Sequence, residues 1–259
     1  MTEYPNFSAM LTRLLDHRGV GVPEPADHAG VTAAEIRGVL AGETPGEGLL
    51  RRLATGLGLH AADLFILAGR EVPDDLAPLD AAATAWTAYT VMDAVHLPAA
   101  GRSELLQFIR ALPQEKRRSP FVPKESGPVA DGPGGSLVRM FWYRNLSRSG
   151  LAHAMAVVTP SYLSAPTYTM IGEGRAELTP RLVTDSATLL GIEARELSAL
   201  TGVLLPEPPG PPAPEAVDAA AVLWELRRLS APQAEHVAEL AKSMRGDSPV
   251  EYRINAPGW

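Results

Sequence analysis

Apolar residues return along this chain at helical spacing, and no window alternates as a strand would. Phe7, Met10, Leu11, Leu14 and Leu15 fall on one stripe and predict a first helix that stops near Gly19. Thr32-Ala-Ala-Glu35 has the pattern of a capping box, in which the threonine hydroxyl and the glutamate carboxylate satisfy free amides reciprocally. It opens a helix with the apolar face Ile36, Val39 and Leu40, ending at Gly42. Leu49, Leu50, Leu53 and Leu57 make a further face closed by Gly58, and Leu64, Phe65, Leu67 and Ala68 one closed by Gly69. Beyond these lie two longer apolar stretches, Asp80–His96 with Trp86 and a segment around Leu105–Leu112.

The second half repeats this order. Leu57-Gly-Leu-His-Ala-Ala-Asp-Leu64 matches Leu190-Gly-Ile-Glu-Ala-Arg-Glu-Leu197 at an offset of 133. Val31-Thr32, Ile36, Val39 and Gly42 match Leu163-Ser164, Tyr168, Ile171 and Gly174 at 132, and Gly19 matches Gly150 at 131. A second tryptophan stretch, Pro214–Leu229 with Trp224, is followed by Ser230-Ala-Pro-Gln233, a capping box that starts a last helix running to about Met244. The expected fold is all-α: two five-helix units in tandem, each followed by a helical pair.

Proline and glycine mark the joints. They divide the chain into a first unit at 1–72, a helical pair at 73–113, a Pro/Gly-rich linker at 114–136 and a second unit at 137–203. A Pro-rich hinge with its helical pair follows at 204–247, then a tail at 248–259. The stretch Pro206-Glu-Pro-Pro-Gly-Pro-Pro-Ala-Pro214 is expected to be stiff and extended.

Leu11-Thr-Arg-Leu-Leu-Asp-His-Arg-Gly19, Ala29-Gly-Val-Thr-Ala-Ala-Glu-Ile-Arg37, Ala41-Gly-Glu43 and Leu50-Arg-Arg-Leu-Ala-Thr-Gly-Leu-Gly-Leu59 together resemble the lambda-repressor/Cro-like (XRE) helix-turn-helix family. The two-copy layout is similar to tandem-domain actinobacterial regulators of that family. The resemblance covers residues 7–69 well and 137–202 weakly. It implies a transcriptional regulator of double-stranded DNA, with a second helix around Val22–Ala29 across the phosphates and a third at Thr32–Ala41 in the major groove. Thr32, Ala33 and Arg37 are then the base-contact candidates, and Arg37 can pair bidentately with guanine. Two departures stand out. The second helix opens Val22-Pro-Glu-Pro25, with an acidic charge where the family usually has a polar phosphate contact. The second copy's third helix, Ser164-Ala-Pro-Thr-Tyr-Thr-Met-Ile171, carries no charge and no amide, leaving Thr167, Thr169 and the following Arg175 as its contacts.

Charge enters the argument at this point. The net −7 speaks against nucleic acid until it is divided. Residues 1–101 carry 6 basic and 13 acidic side chains, residues 102–148 carry 9 and 4, and residues 149–259 carry 8 and 13. The basic middle holds Lys116, Arg117, Arg118 and Lys124, then Arg139, Arg144 and Arg148, the last three read as lying on the helix that opens the second repeat. Arg139, Arg144 and Arg148, with the Lys116–Arg118 run before them, are the phosphate-contact candidates; the competing reading is a solvated linker followed by an amphipathic helix. With three asparagines and three glutamines in the chain, amide readout of adenine is scarce.

Enzyme chemistry is not expected. The six histidines form no HxH or HExxH pair, there is no cysteine, no GxSxG elbow and no phosphate loop, and no metal or cofactor is predicted. No apolar run approaches the ~18 residues of a membrane span. Met1–Met10 lacks the basic start and apolar core of a signal peptide, so a cytoplasmic location is expected. The Trp86 and Trp224 helices are expected to associate, either within one chain, which then acts as its own pseudo-dimer, or across a homodimer. The alternative function is a protein-interaction scaffold that keeps the helix-turn-helix shape without binding DNA.

Overall fold

A computed structural model describes residues 7–123 and 127–252. The described residues are all-α: fourteen helices, two short 3-10 turns and no strand. The first seven helices are α1 (Phe7–Arg18), α2 (Pro23–Ala29), α3 (Ala33–Leu40), α4 (Glu47–Gly56), α5 (Ala61–Leu67), α6 (Thr84–Val95) and α7 (Ala99–Ala111). The other seven are α8 (Pro133–Trp142), α9 (Arg148–Val158), α10 (Ala165–Gly172), α11 (Pro180–Leu190), α12 (Ala194–Thr201), α13 (Pro214–Leu226) and α14 (Ala231–Arg245). Helix starts from α3 and α10 onward repeat at offsets of 130 to 133, whereas α1 and α8 start 126 apart.

Backbone conformation follows the same repeat. Gly42 and Gly174, Gly58 and Gly191, and Gly69 and Gly202 all take positive φ after their helices, where a left-handed residue lets the chain turn back. The expected match of Gly19 to Gly150 is corrected. Gly19 has φ +63° after α1, but Gly150 lies inside the first turn of α9, where its amide donates to Ser147 Oγ at 3.0 Å. The residue in Gly19's place is Asn145, φ 57°, 126 residues on. Asparagine tolerates this conformation better than other side chains, and Asn145 Nδ2 donates to Asp80 O at 2.8 Å.

The expected linker also ends sooner. Helix α8 begins at Pro133, so Gly134, Gly135 and Ser136 are helical and buried. Their small size serves packing: a Cβ on Gly134 would lie 2.3 Å from Ile171 O, and one on Gly135 2.0 Å from Ala130 O. A run that reads as flexible is a close crossing of α8 over α10.

The two halves are interleaved. Helix α1 packs on α12 while α5 packs on α8, so each half sets its first helix against the fifth helix of the other. Helix α6 packs on α14 and α7 on α13, and α6 and α13 meet each other. These contacts are reciprocal between the halves, whereas the packing of α6 on α9 has no comparable counterpart between α13 and α2. The buried side chains accordingly form one continuous cluster from Phe7 to Ala241. The Trp86 and Trp224 helices meet inside the chain. Trp224 is sandwiched, with the His60 ring stacked on it at 3.3 Å and the Arg227 guanidinium carbon 3.7 Å from its centroid. Burial there pushes His60 down to about 4 and Arg227 down to about 9. No described helix is long and apolar enough to cross a membrane.

Candidate nucleic-acid interface

The first candidate surface is built by α2, a three-residue turn and α3. Pro23 stands at the start of α2, where its missing N–H costs nothing, and Gly30 ends the helix at φ +61°. The turn is closed by Val31 N donating to Ala26 O at 3.0 Å. Thr32 then caps α3: Glu35 N donates to Thr32 Oγ1 at 3.1 Å, and Thr32 N donates to Glu35 Oε2 at 2.8 Å. Those hydrogen bonds hold the Glu35 carboxyl below its usual range, and Arg52 of α4 reaches the other oxygen at 3.2 Å. Ala26, Ala29, Ile36 and Val39 face the core. Gly56 of α4 lets α2 come close, since a Cβ there would stand 2.6 Å from Ala29 Cβ.

On this rigid pair the three predicted base contacts differ. Arg37 is exposed and makes no hydrogen bond or ion pair among the described residues, so its guanidinium is free. Thr32 is exposed with its hydroxyl engaged with Glu35, 2.9 Å from Oε2. Ala33 is corrected: it is half-buried and packs against the core, so it is not an outward side chain. Glu24, Asp27 and Glu43 are exposed nearby in sequence, and none of them forms an ion pair with a described residue.

The counterpart surface in the second half is of another kind. Helix α9 has eleven residues against seven in α2, and six residues separate it from α10. Most of α9 is buried, partly under α6. Thr167 Oγ1 lies 2.9 Å from Ser164 Oγ, and Thr169 Oγ1 donates back to Ala165 O at 3.3 Å. Tyr168 and Ile171 are buried, leaving Pro166 and Met170 as the exposed side chains of this helix. Arg175 is exposed and paired with Glu173 at 3.0 Å.

The basic middle is the largest correction. Only Arg139 lies on α8; Arg144 falls in the following turn and Arg148 opens α9. Arg144 is unavailable to phosphate, because it is buried and donates to both oxygens of Asp63, at 2.7 and 2.8 Å, and to Met140 O and Leu190 O. Arg139 stands 3.6 Å from Asp131. Arg148 is half-buried against Gly127 and engaged with its surroundings. Arg117 donates to four carbonyls, those of Pro78 and Leu79 through Nη1 and of Asp74 and Ala77 through Nη2. Lys116 and Arg118 are exposed, and Lys124 lies outside the described residues.

Sequence reasoning missed this use of arginine altogether. Arg13 donates to Ala199 O and Leu200 O at the end of α12, and Arg228 to Ile109 O, Arg110 O and Leu112 O at the end of α7. A guanidinium suits that task, having five donors in a planar fork beside the negative end of a helix dipole. The only available signal was the preponderance of arginine over lysine, which by itself says nothing about where the side chains point. No group of three or more His, Asp or Glu is placed to hold a metal ion among the described residues. No protein-family model matches the chain, and no match occurs among the curated proteins or the solved structures.

Proposed function

We propose that the chain is a DNA-binding regulator in which the α2–turn–α3 pair acts as a helix-turn-helix reader, and the second half serves as its built-in partner rather than as a second reader. The observation that carries this is Arg37: a free guanidinium on the outward side of a capped, tightly braced helix that follows a three-residue glycine turn. A guanidinium so placed can donate twice to O6 and N7 of guanine, worth ~1–3 kcal/mol of discrimination. The matching helix α10 has no charge on its exposed side, which supports a single reader. With Arg117 and Arg144 spent inside the fold, few cations remain for phosphates. Affinity is therefore modest and its salt dependence shallow, each phosphate contact contributing a log–log slope of about −0.9.

Fluorescence anisotropy with random and genomic duplexes at two salt concentrations tests this. The expected result is binding at low salt, a slope of roughly one to three phosphates, and a preference that Arg37→Ala relaxes. Absence of binding at low salt overturns it.

A second reading is favoured by Glu24, Asp27 and Glu43. These exposed, unpaired carboxylates in the same helix pair and its flank repel phosphate. They suit α2–α3 to a basic protein partner instead, making the chain an interaction scaffold. In that case Glu24→Gln and Asp27→Asn strengthen duplex binding and weaken the protein contact.

A further inference from the structure

A cleft of about 750 Å³ opens where three connecting segments meet: the end of α5 with residues 69–74, the approach to α8 at Pro120–Phe121, and Tyr143 just after α8. Three aromatic side chains are among its lining residues. Phe121 and Tyr143 form a corner, with ring centroids 5.4 Å apart and planes tilted by 59°, and Phe65 lines the same space. The carboxylates of Glu71 and Asp74 stand at its edge, exposed and without an ion pair among the described residues. Their charge is felt at Tyr143, whose phenol is pushed up first by burial and then by Glu71 and by Asp74. That phenol hydroxyl has no hydrogen-bond partner among the described residues. Among the described residues, Arg70 is the only cation lining the cleft.

The walls are held in place before any ligand arrives. Tyr143 O accepts from Arg227 Nε at 2.5 Å, and Asp74 O accepts from Arg117 Nη2 at 2.7 Å. Phe65 already takes one delocalised cation, since the Arg51 guanidinium carbon lies 5.9 Å from its centroid. Arg51 in turn pairs with both Glu47 and Asp75, whereas Glu71 and Asp74 have no ion-pair partner among the described residues.

We propose that this cleft binds a small quaternary ammonium compound. Phe121 and Tyr143 line one volume as a tilted pair, and an aromatic face open to that volume favours a cation that sheds water readily. Separated carboxylates at the edge add charge without the converging oxygen set that a metal ion requires. The volume falls within the range of ligand pockets. A phosphate carried beside the ammonium would meet two carboxylates, Glu71 and Asp74, against the one guanidinium of Arg70, so the ligand is a free ammonium compound rather than a phospholipid headgroup. This inference is independent of nucleic-acid binding.

Calorimetric titration of the full chain at matched ionic strength tests it, with choline, its neutral carbon isostere 3,3-dimethylbutan-1-ol, and phosphocholine as probes. Choline is expected to bind about tenfold tighter than the alcohol and tighter than phosphocholine. Phe121→Leu keeps the apolar bulk and removes the ring; choline affinity should drop about fivefold while the alcohol is unaffected. Equal binding of choline and alcohol, or no binding of choline up to about 50 mM, overturns the proposal. So does a Phe121→Leu variant that retains full choline affinity. Should Phe121→Leu lose its helical circular dichroism, Glu71→Gln at the exposed edge replaces it: weaker choline binding supports the site and unchanged binding overturns it.

Discussion

Arg144 and Asp63 meet through two parallel hydrogen bonds of 2.7 and 2.8 Å, with both side chains 1% exposed. They join the turn after α8 to α5 across 81 residues of chain, at the crossing of the two halves. Desolvating both ions costs several kcal/mol, which the fork geometry and the carbonyls of Met140 and Leu190 offset. Removing one partner strands a buried charge, so Asp63→Ala and Arg144→Ala should each destabilise the fold by about 3–5 kcal/mol. The double change Asp63→Leu with Arg144→Met should recover most of that loss. Urea denaturation of the three variants checks this; single changes that cost less than about 1 kcal/mol would show that water reaches the pair.

That pair also marks where the sequence stops being readable. The helices were legible because an apolar stripe such as Phe7, Met10, Leu11 and Leu14 has one way to hide from water, and Thr32 with Glu35 could satisfy amides within three residues. Both signals are local. Arg144 carries no such signal: a guanidinium at a surface helix and one pointed inward at Asp63 look alike until the partner 81 residues away is in place. Gly134 and Gly135 misled for the same reason, since a glycine chosen for a close crossing cannot be told from one chosen for flexibility without the opposing Ile171. Of the candidate surface, the capped α3 and the outward Arg37 could be read from sequence; the engagement of the other cations could not.

Stability should fall as pH drops through the range set by His60. An unfolded histidine titrates near 6.5, whereas burial against Trp224, reinforced by Arg144 and Arg227 and opposed by Asp63, pushes His60 down to about 4. The folded protein thus holds the ring neutral while the unfolded chain binds the extra proton. The contribution is fully present above pH 6.5 and is lost progressively between about 6.5 and 4, on the order of 3 kcal/mol in total. His60→Gln should flatten this part of the profile relative to the parent chain, measured as the urea midpoint against pH. Parallel profiles for the two proteins would count against the burial argument.

Substitution at Gly134 separates packing from flexibility. A Cβ there would stand 2.3 Å from the backbone oxygen of Ile171, and backbone cannot yield as a side-chain end can. Gly134→Ala should therefore cost about 1–3 kcal/mol despite the better helix propensity of alanine. Gly210, with open space around it, is the control, and Gly210→Ala should change stability by less than about 0.5 kcal/mol. Thermal unfolding of both variants decides the point; equal midpoints would return residues 134–136 to the status of a linker.

Two arginines of equal charge should give opposite results in binding and in stability. Arg117 satisfies four carbonyls of the segment from Asp74 to Leu79, so Arg117→Ala exposes or strands those acceptors and should destabilise by about 2–4 kcal/mol. Its guanidinium is spent on those carbonyls, so the salt slope of duplex binding, measured well below the unfolding transition, should stay where it was. The Arg37 side chain makes no hydrogen bond or ion pair among the described residues, and Arg37→Ala should leave stability within about 0.5 kcal/mol of the parent. Its loss should instead shrink the gap between a preferred duplex and a random one by roughly 1–3 kcal/mol. Anisotropy and urea denaturation on the same two preparations separate the cases. A change in duplex preference in the Arg117 variant, with none in Arg37→Ala, would move the reading surface from α3 to the segment that Arg117 holds.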